Sequence, residues 1–158
     1  MDWKVENAKK VSIMVTKSNN KLKQLNLNPL SIAKFLYEKL GERAIEQAFI
    51  QPLIYLVYSE ILKKENILLF KEEFRAWESS PILESIFWHL PDEEKTLRKL
   101  LREVEDLDNS LVIKHLERIS KKYRKSEACD LQFEAKNEAW QKAYKNGFIK
   151  STEIGARI

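Results

Sequence analysis

Residues 51–58 read QPLIYLVY, residues 68–77 read LLFKEEFRAW, and Ser80-Pro81 follows them. The first stretch is a run of large apolar side chains, which predicts a buried helix. The second has apolar and aromatic residues, Ile67–Phe70 and Phe74–Trp77, on either side of the charged Lys71-Glu72-Glu73. This pattern predicts two short strands joined by a turn. Serine followed by proline then predicts the start of another helix.

Helix boundary signals flank this stretch on both sides. Asn28-Pro29 predicts a helix start, since asparagine caps free amides and proline suits the first helical position, and Gly41 predicts its end. A long buried helix is expected from about Glu42 to Lys64, and Pro52 should kink or split it because proline lacks an amide donor. Further helix starts are predicted at Pro91–Glu94, Asp108–Ser110, Ser126 and Asn137. The predicted fold class is α+β, mainly α-helical: a compact helical domain with a small β-hairpin.

The basic residues are concentrated at the N-terminal end. Residues 1–25 hold six lysines against two acidic residues, so this segment has the same net charge, +4, as the whole chain of 158 residues. We therefore divide the chain into a basic N-terminal extension, residues 1–25, and one helical domain, residues 26–158, long enough to bury a core. The extension is a candidate contact for an anionic partner. Its candidate partner-binding residues are Trp3, Lys9 and Lys10.

The composition favours a cytoplasmic protein. Cys129 is the only cysteine, which excludes an internal disulfide and fits a reducing compartment. The first residues lack the pattern of a secretion signal. The most apolar window, Ala48 to Leu62, is shorter than the roughly 20 residues that span a bilayer, so no membrane contact is expected. We expect Cys129 to be a small buried residue of a helix.

The sequence offers no catalytic or metal-binding pattern. His89 and His115 lack partners at ligand spacing, which favours structural or surface roles. A glycine-rich phosphate loop is excluded, since Gly41, Gly147 and Gly155 are the only glycines. We therefore expect a protein that is not an enzyme and that needs no cofactor or metal.

The order of the opening segments also resembles a known family. It is similar to the Panacea domain, the SocA-like antitoxin family, whose members have an L-x-K-L-(I/L)-Y helix followed by L-F-x-E-x-F-x-A-W-x-x-G-P. The resemblance covers about residues 28–158, through Lys122-Tyr123, Ser126–Leu131, Glu138–Tyr144 and the final segment from Ile149. The chain departs from the family pattern at Pro52 (lysine in members), at Ser80 (glycine) and at Phe133-Glu134 (Thr-His).

This resemblance implies a function. Members act as antitoxins that bind and neutralise a cognate protein toxin, and their genes are often carried on phages or mobile elements. SocA-like members also act as adaptors that hand the toxin to a cytosolic protease. The resemblance implies no cofactor. The residues expected to build the shared scaffold are Tyr55, Phe74, Trp77, Pro81 and Trp140.

Two alternative functions remain open. A nucleic-acid-associated regulator would use the basic tail and a second basic cluster on the helix from Lys114 to Lys125. Nucleic acid is the less favoured partner, because Trp3 is the only aromatic residue of the tail that could stack on a base. A third possibility is a structural subunit of a phage or host complex.

The tryptophans are the remaining candidates for partner contact. Trp77, Trp88 and Trp140 are expected in the core or at its rim, as large amphipathic side chains usually are. Because aromatic residues are enriched at binding hot spots, an exposed member of this set is a candidate anchor for a protein partner.

Overall fold

The computed structural model describes residues 21–90, 93–144, 147–150 and 154. These residues form a mainly helical α+β fold with two small sheets, which confirms the predicted fold class. The α-helices are α1 (Pro29–Leu40), α2 (Gln47–Glu65), α3 (Glu84–His89), α4 (Glu94–Glu103), α5 (Ser110–Tyr123), α6 (Ala128–Ala135) and α7 (Glu138–Ala143). The strands are β1 (Lys23–Gln24), β2 (Ile67–Leu68), β3 (Phe74–Ala76), β4 (Pro81–Ile82) and β5 (Phe148–Ile149).

Helix α2 is the central element of the core. Its residues are buried almost without interruption from Phe49 to Leu62, so apolar side chains on every side of the helix contact other elements. The predicted single helix from Glu42 is wrong in one respect: Glu42–Ile45 form a 3-10 helix, and extended backbone at Glu46 separates it from α2.

Pro52 does not split α2, which is continuous from Gln47 to Glu65. Proline removes the amide that would bond to the carbonyl four residues earlier, at Ala48. The side-chain amide of Gln132 donates to that carbonyl instead, over 3.2 Å. A contact from α6 therefore satisfies the helical acceptor that Pro52 leaves free.

Asparagine caps start three helices. The Oδ1 atoms of Asn28, Asn109 and Asn137 accept from main-chain amides in the first turns of α1, α5 and α7, which confirms those predicted starts. Gly41 ends α1 with a φ of 85°, as predicted. The cap expected at Ser126 is wrong, because Glu127 and Asp130 form a capping box at the start of α6.

The predicted hairpin between Ile67–Phe70 and Phe74–Trp77 is also wrong in its pairing. Strand β2 pairs in parallel with β1, while β3 lies between β4 and β5 in an antiparallel three-stranded sheet. The hairpin that does form joins β3 to β4, with Ala76 opposite Pro81. The partner of β2 is β1, and the amide of Leu25 continues this ladder by donating to the Leu68 carbonyl over 2.8 Å.

Pro81 accordingly starts a strand, not the predicted helix, and α3 begins three residues later at Glu84. Strand β4 is an edge strand of its sheet. Proline fits there because an edge position can leave one amide out of the ladder.

The end of the basic extension is part of the folded body. Lys23 and Gln24 pair with Ile67 and Leu68. Leu22 and Leu25 are partly buried against the core. Residues 1–20, which include Trp3, Lys9 and Lys10, lie outside the described residues.

Two further findings concern the surface. Cys129 is exposed, so its expected burial is wrong: α6 buries Leu131 and Ala135, and Cys129 lies on the opposite side of the helix. None of the helices within the described part of the chain is both long and apolar enough to cross a membrane.

Candidate functional site

An aromatic core holds the β3 region against α2. The Tyr55 and Phe74 rings meet edge to face with centroids 5.0 Å apart, and the Tyr58 ring lies 5.2 Å from the same phenylalanine. Phe70 contacts both Tyr58 and Phe74. Edge-to-face pairs of this kind add to the energy of apolar burial. Strand β3 is therefore fixed to the central helix by ring contacts.

Asn137 connects this core to α7. Its Oδ1 atom accepts from the Tyr55 hydroxyl and from the Trp140 amide, each over 3.0 Å. One side chain thus caps α7 and binds α2. The indole Nε1 of Trp140 in turn donates to the carbonyl oxygen of Trp77 over 2.8 Å. These bonds set the position of α7 relative to the segment after β3.

The structure brings the five expected scaffold residues together. Tyr55 and Phe74 are in ring contact, Trp140 bonds to the main chain of Trp77, and Pro81 pairs with Ala76 next to it. Tyr55, Phe74 and Pro81 are buried, whereas Trp77 and Trp140 are half-buried. The buried members support the half-buried ones from below.

Above this support lies a surface that we call the aromatic strip, composed of Trp77, Phe87, Trp88, Trp140 and Tyr144. Its rings meet in two groups: Phe87 contacts Trp77 at 5.0 Å and Trp88 at 4.9 Å, and Trp140 stacks on Tyr144 at 4.8 Å. The bond from Trp140 to Trp77 joins the groups. Trp88 is 70% exposed, Tyr144 45% and Phe87 37%. Expectation and structure differ at Trp88, which is a surface residue.

A shallow cleft adjoins the strip. It is lined by Trp77, Glu78, Ser79 and Lys136. The Lys136 ammonium donates to the Glu78 carbonyl over 3.4 Å and lies 5.6 Å from the centre of the Trp140 ring. The cleft therefore combines an indole with a cation and exposed polar groups, a mixed composition like that found at the rim of protein interfaces.

The sheet below the strip is also stabilised by Arg75. Its guanidinium lies 4.5 Å from the centre of the Phe148 ring and 3.7 Å from the Glu84 carboxylate. Gly147, which precedes β5, has a φ of 101°, a backbone conformation that favours glycine. Strands β3 and β5 and helix α3 are thus held in one arrangement.

The buried tyrosines of the core remain neutral. Burial raises the pKa of the Tyr55 hydroxyl to about 12, against a smaller lowering effect of its bond to Asn137. Burial also raises the pKa of Tyr58, and the nearby charge of Glu73 acts in the same direction. No tyrosine of this cluster therefore ionises near neutral pH.

The histidines and acidic residues form no metal site in the described ranges, where no group of three or more His, Cys, Asp or Glu side chains is placed to hold an ion. His89 is exposed and its Nδ1 atom lies 2.8 Å from the Ser85 carbonyl oxygen. His115 is buried between Glu65 and Arg118. Both positions agree with the structural or surface roles expected for them.

Sequence reasoning missed several surface aromatics. Phe87 and Tyr144 belong to the aromatic strip, and Phe133 on α6 is 84% exposed. The signal for Phe133 was available, since it falls two residues after the buried Leu131 and so on the far side of a short helix. Phe87 and Tyr144 had no such signal, because their exposure depends on contacts between separate elements.

Comparison of the chain with protein-family models, with curated proteins and with solved structures gives no match.

Proposed function

We propose that this protein binds and neutralises a cognate protein toxin, and that the aromatic strip is its main contact surface. The observation that carries the proposal is the strip itself: five aromatic side chains, three of them exposed, fixed by hydrogen bonds and ring contacts. Tryptophan and tyrosine dominate the energetics of protein interfaces because each removes a large apolar area from water at little entropic cost.

The support beneath the strip favours binding by a preformed surface. The Trp140 indole is held by its bond to the Trp77 main chain, Asn137 binds the Trp140 amide, and the Trp77 ring contacts Phe87. A side chain that is already ordered loses less entropy on association, so more of the contact energy appears as affinity. A stable complex buries about 800 Å² on each partner, an area larger than the strip alone supplies. We expect the adjoining cleft at Lys136 to contribute to the rim.

The identity of the partner class comes from the resemblance to SocA-like antitoxins. On that basis we place the protein in the cytoplasm, beside a toxin gene on a phage or other mobile element. The same resemblance supports an adaptor role in which the bound toxin is passed to a protease. Partner binding in this proposal requires no cofactor and no chemical step.

The test is co-expression with the open reading frame immediately beside this gene, scored by growth and co-purification. We expect the neighbour to arrest growth alone and this protein to restore it while purifying with the neighbour. The double variant Phe87→Ala/Trp88→Ala should lose rescue and bind at least about 100-fold more weakly, because both side chains are exposed anchors.

The matched control is Leu111→Ala. Leu111 is 39% exposed, close to the exposure of Phe87, but it lies on α5 outside the strip. It should rescue growth like the unaltered chain. A harmless neighbour that does not co-purify, or equal loss of binding in both variants, would refute the proposal.

A further inference from the structure

Helix α5 carries a row of cations along its solvent side. Its buried residues include Val112, Leu116 and Ile119, which face the core. The exposed residues Lys114, Arg118, Lys121 and Lys125 fall at spacings of four, three and four residues. Such spacing places Lys114, Arg118 and Lys121 on one side of the helix, opposite the buried residues, and Lys125 follows in the turn after the helix ends.

The C-terminal half of α2 lies beside this row. Glu60 accepts from Arg118 over 2.9 Å and from Lys122 over 3.1 Å, while Glu65 lies 2.6 Å from His115. As the residue number rises along α2 it therefore falls along α5, so the two helices are antiparallel. Two exposed cations, Lys63 and Lys64, end α2 next to this contact.

Strand β1 extends the same surface. The amide of Lys23 donates to the carbonyl of Asn66, the C-cap of α2, over 3.0 Å. Lys21 and Lys23 are both exposed. Strand β1 and helix α5, which are remote in sequence, thus both contact the C-terminal half of α2.

We call this surface the basic face; its members are Lys21, Lys23, Lys63, Lys64, Lys114, Arg118, Lys121, Lys122 and Lys125. The carboxylates within or beside it are Glu60, Glu65 and Glu117: the first two have partners in the basic face, and Glu117 pairs with Lys39. Burial would raise the pKa of Glu60, but the bonds and charges of Lys122 and Arg118 outweigh it and lower the pKa. Lys114, Lys121 and Lys125 have no ion-pair partner in the described part of the chain. Their charges are free to meet an anionic ligand.

We propose that the basic face binds double-stranded nucleic acid through its phosphates, without reading the base sequence. The helical part of the row, from Lys114 to Lys121, spans about 10 Å. A DNA duplex presents roughly 6 phosphates along an equal length. The row therefore has the sign to contact a phosphate backbone and the length to reach several phosphates, although it carries fewer charges than the duplex presents.

Two observations favour a duplex over other anionic partners. The one exposed large apolar side chain on α5 is Leu111, so this helix lacks the aromatic platform on which single-stranded bases stack. It also lacks the apolar centre that a protein interface normally has. Phosphate contacts need neither feature, since counterion release supplies most of the binding energy.

Duplex binding by the basic face is independent of toxin binding by the aromatic strip. The main-chain and side-chain contacts that support the aromatic strip reach α2 at Gln47 and Tyr55. Those of the basic face reach it at Glu60 and Glu65. A partner on one surface therefore leaves the other accessible along the same helix.

The test measures fluorescence anisotropy of a labelled 25-base-pair DNA duplex of arbitrary sequence with the full chain, from about 25 to 200 mM salt. We expect micromolar binding at low salt that weakens steeply as salt rises. The triple variant Lys114→Gln/Lys121→Gln/Lys125→Gln should bind at least about 10-fold more weakly and reduce the slope of log affinity against log salt by about 2 to 3.

The control variant is Lys95→Gln/Lys99→Gln/Lys150→Gln, which changes the net charge equally at exposed lysines on neither α2 nor α5. It should retain nearly full affinity. Absence of binding at low salt would overturn the proposal, as would equal losses in the two triple variants. So would competition by polyglutamate as effective as that by unlabelled duplex, because it would identify an acidic polypeptide as the preferred ligand.

Discussion

The side-chain amide of Gln132 donates a hydrogen bond to the main-chain carbonyl oxygen of Ala48 over 3.2 Å. This oxygen is the one that Pro52 leaves without a main-chain donor in α2. The contact supplies a donor to the acceptor that Pro52 leaves free, and it makes α6 part of the hydrogen bonding of α2.

This relationship predicts a coupling between two positions. Gln132→Ala should lower the free energy of unfolding by about 1 kcal/mol, because the carbonyl loses its only side-chain donor. In a Pro52→Ala background the main-chain amide is restored, so Gln132→Ala should lower the free energy of unfolding by only a few tenths of a kcal/mol. Urea denaturation of the four proteins of this cycle measures the coupling. Equal losses in the two backgrounds would mean that Gln132 acts independently of Pro52.

Asn137 should be a strong stability determinant. Asn137→Ala removes the cap of α7 and the acceptor of the Tyr55 hydroxyl, and together these losses should cost about 2 kcal/mol. Asn137→Asp keeps an oxygen acceptor for both donors and should lose much less. Thermal denaturation compares the two. If the aspartate variant is as unstable as the alanine variant, the acceptor role assigned to Asn137 is wrong.

Gln51 should tolerate no apolar replacement despite its complete burial. Its side chain accepts from the Leu83 amide over 2.9 Å and donates to the Leu83 carbonyl over 3.2 Å. Gln51→Leu leaves the buried Leu83 amide without a partner, while the Leu83 carbonyl keeps its bond from the Phe87 amide over 3.1 Å, and the change should cost about 1 to 3 kcal/mol. The comparison variant Gln47→Leu affects a half-buried residue whose Oε1 atom accepts from Gln51, and it should cost less. Denaturation midpoints in urea decide between them, and similar losses would contradict the special role of Gln51.

The Glu60 ion pairs should make stability depend on pH. The folded state lowers the pKa of Glu60 below its ordinary value of 4.5. Its contribution is therefore present above that value and is lost as the pH falls through the folded pKa. Glu60→Gln should be less stable than the unaltered chain by up to about 1 kcal/mol at pH 7, and the difference should shrink towards pH 3.

Urea denaturation at both pH values measures this effect. The matched control is Glu117→Gln, whose ion pair with Lys39 spans 3.7 Å between largely exposed side chains. It should change stability by less than about 0.5 kcal/mol at neutral pH. A Glu60→Gln deficit that is the same at pH 7 and pH 3 would show that packing, not charge, is responsible.

The local features of the fold were predictable from sequence because they depend on a few neighbouring residues. Asn28, Asn109 and Asn137 start helices through bonds to amides two or three residues away. The strand partners were not predictable in this way. Ile67–Leu68 pairs with a segment whose residues are 44 positions away in sequence, and no local pattern specifies that choice.

The candidate site shows the same division. Tyr55 and Phe74 were expected from the motif resemblance, and the structure places their rings in contact. The exposure of Trp88 depends on how α3 lies against the rest of the fold, so composition alone suggested burial. The basic face likewise joins β1, α2 and α5, and only the fold shows that β1 and α5 both contact the C-terminal half of α2.

The pairing of β3 with β5 has a consequence for protein synthesis. Phe74 pairs with Ile149, and the Ala76 amide bonds to the Gly147 carbonyl, so the sheet under Trp77 needs residues made about 70 positions later. A nascent chain that has reached Trp88 already contains Trp77 and Phe87, but neither the indole of Trp140 nor the strand that holds them in place. Interrupted translation therefore yields fragments that contain these aromatic residues without their sheet, and only a chain translated through Ile149 can assemble the aromatic strip.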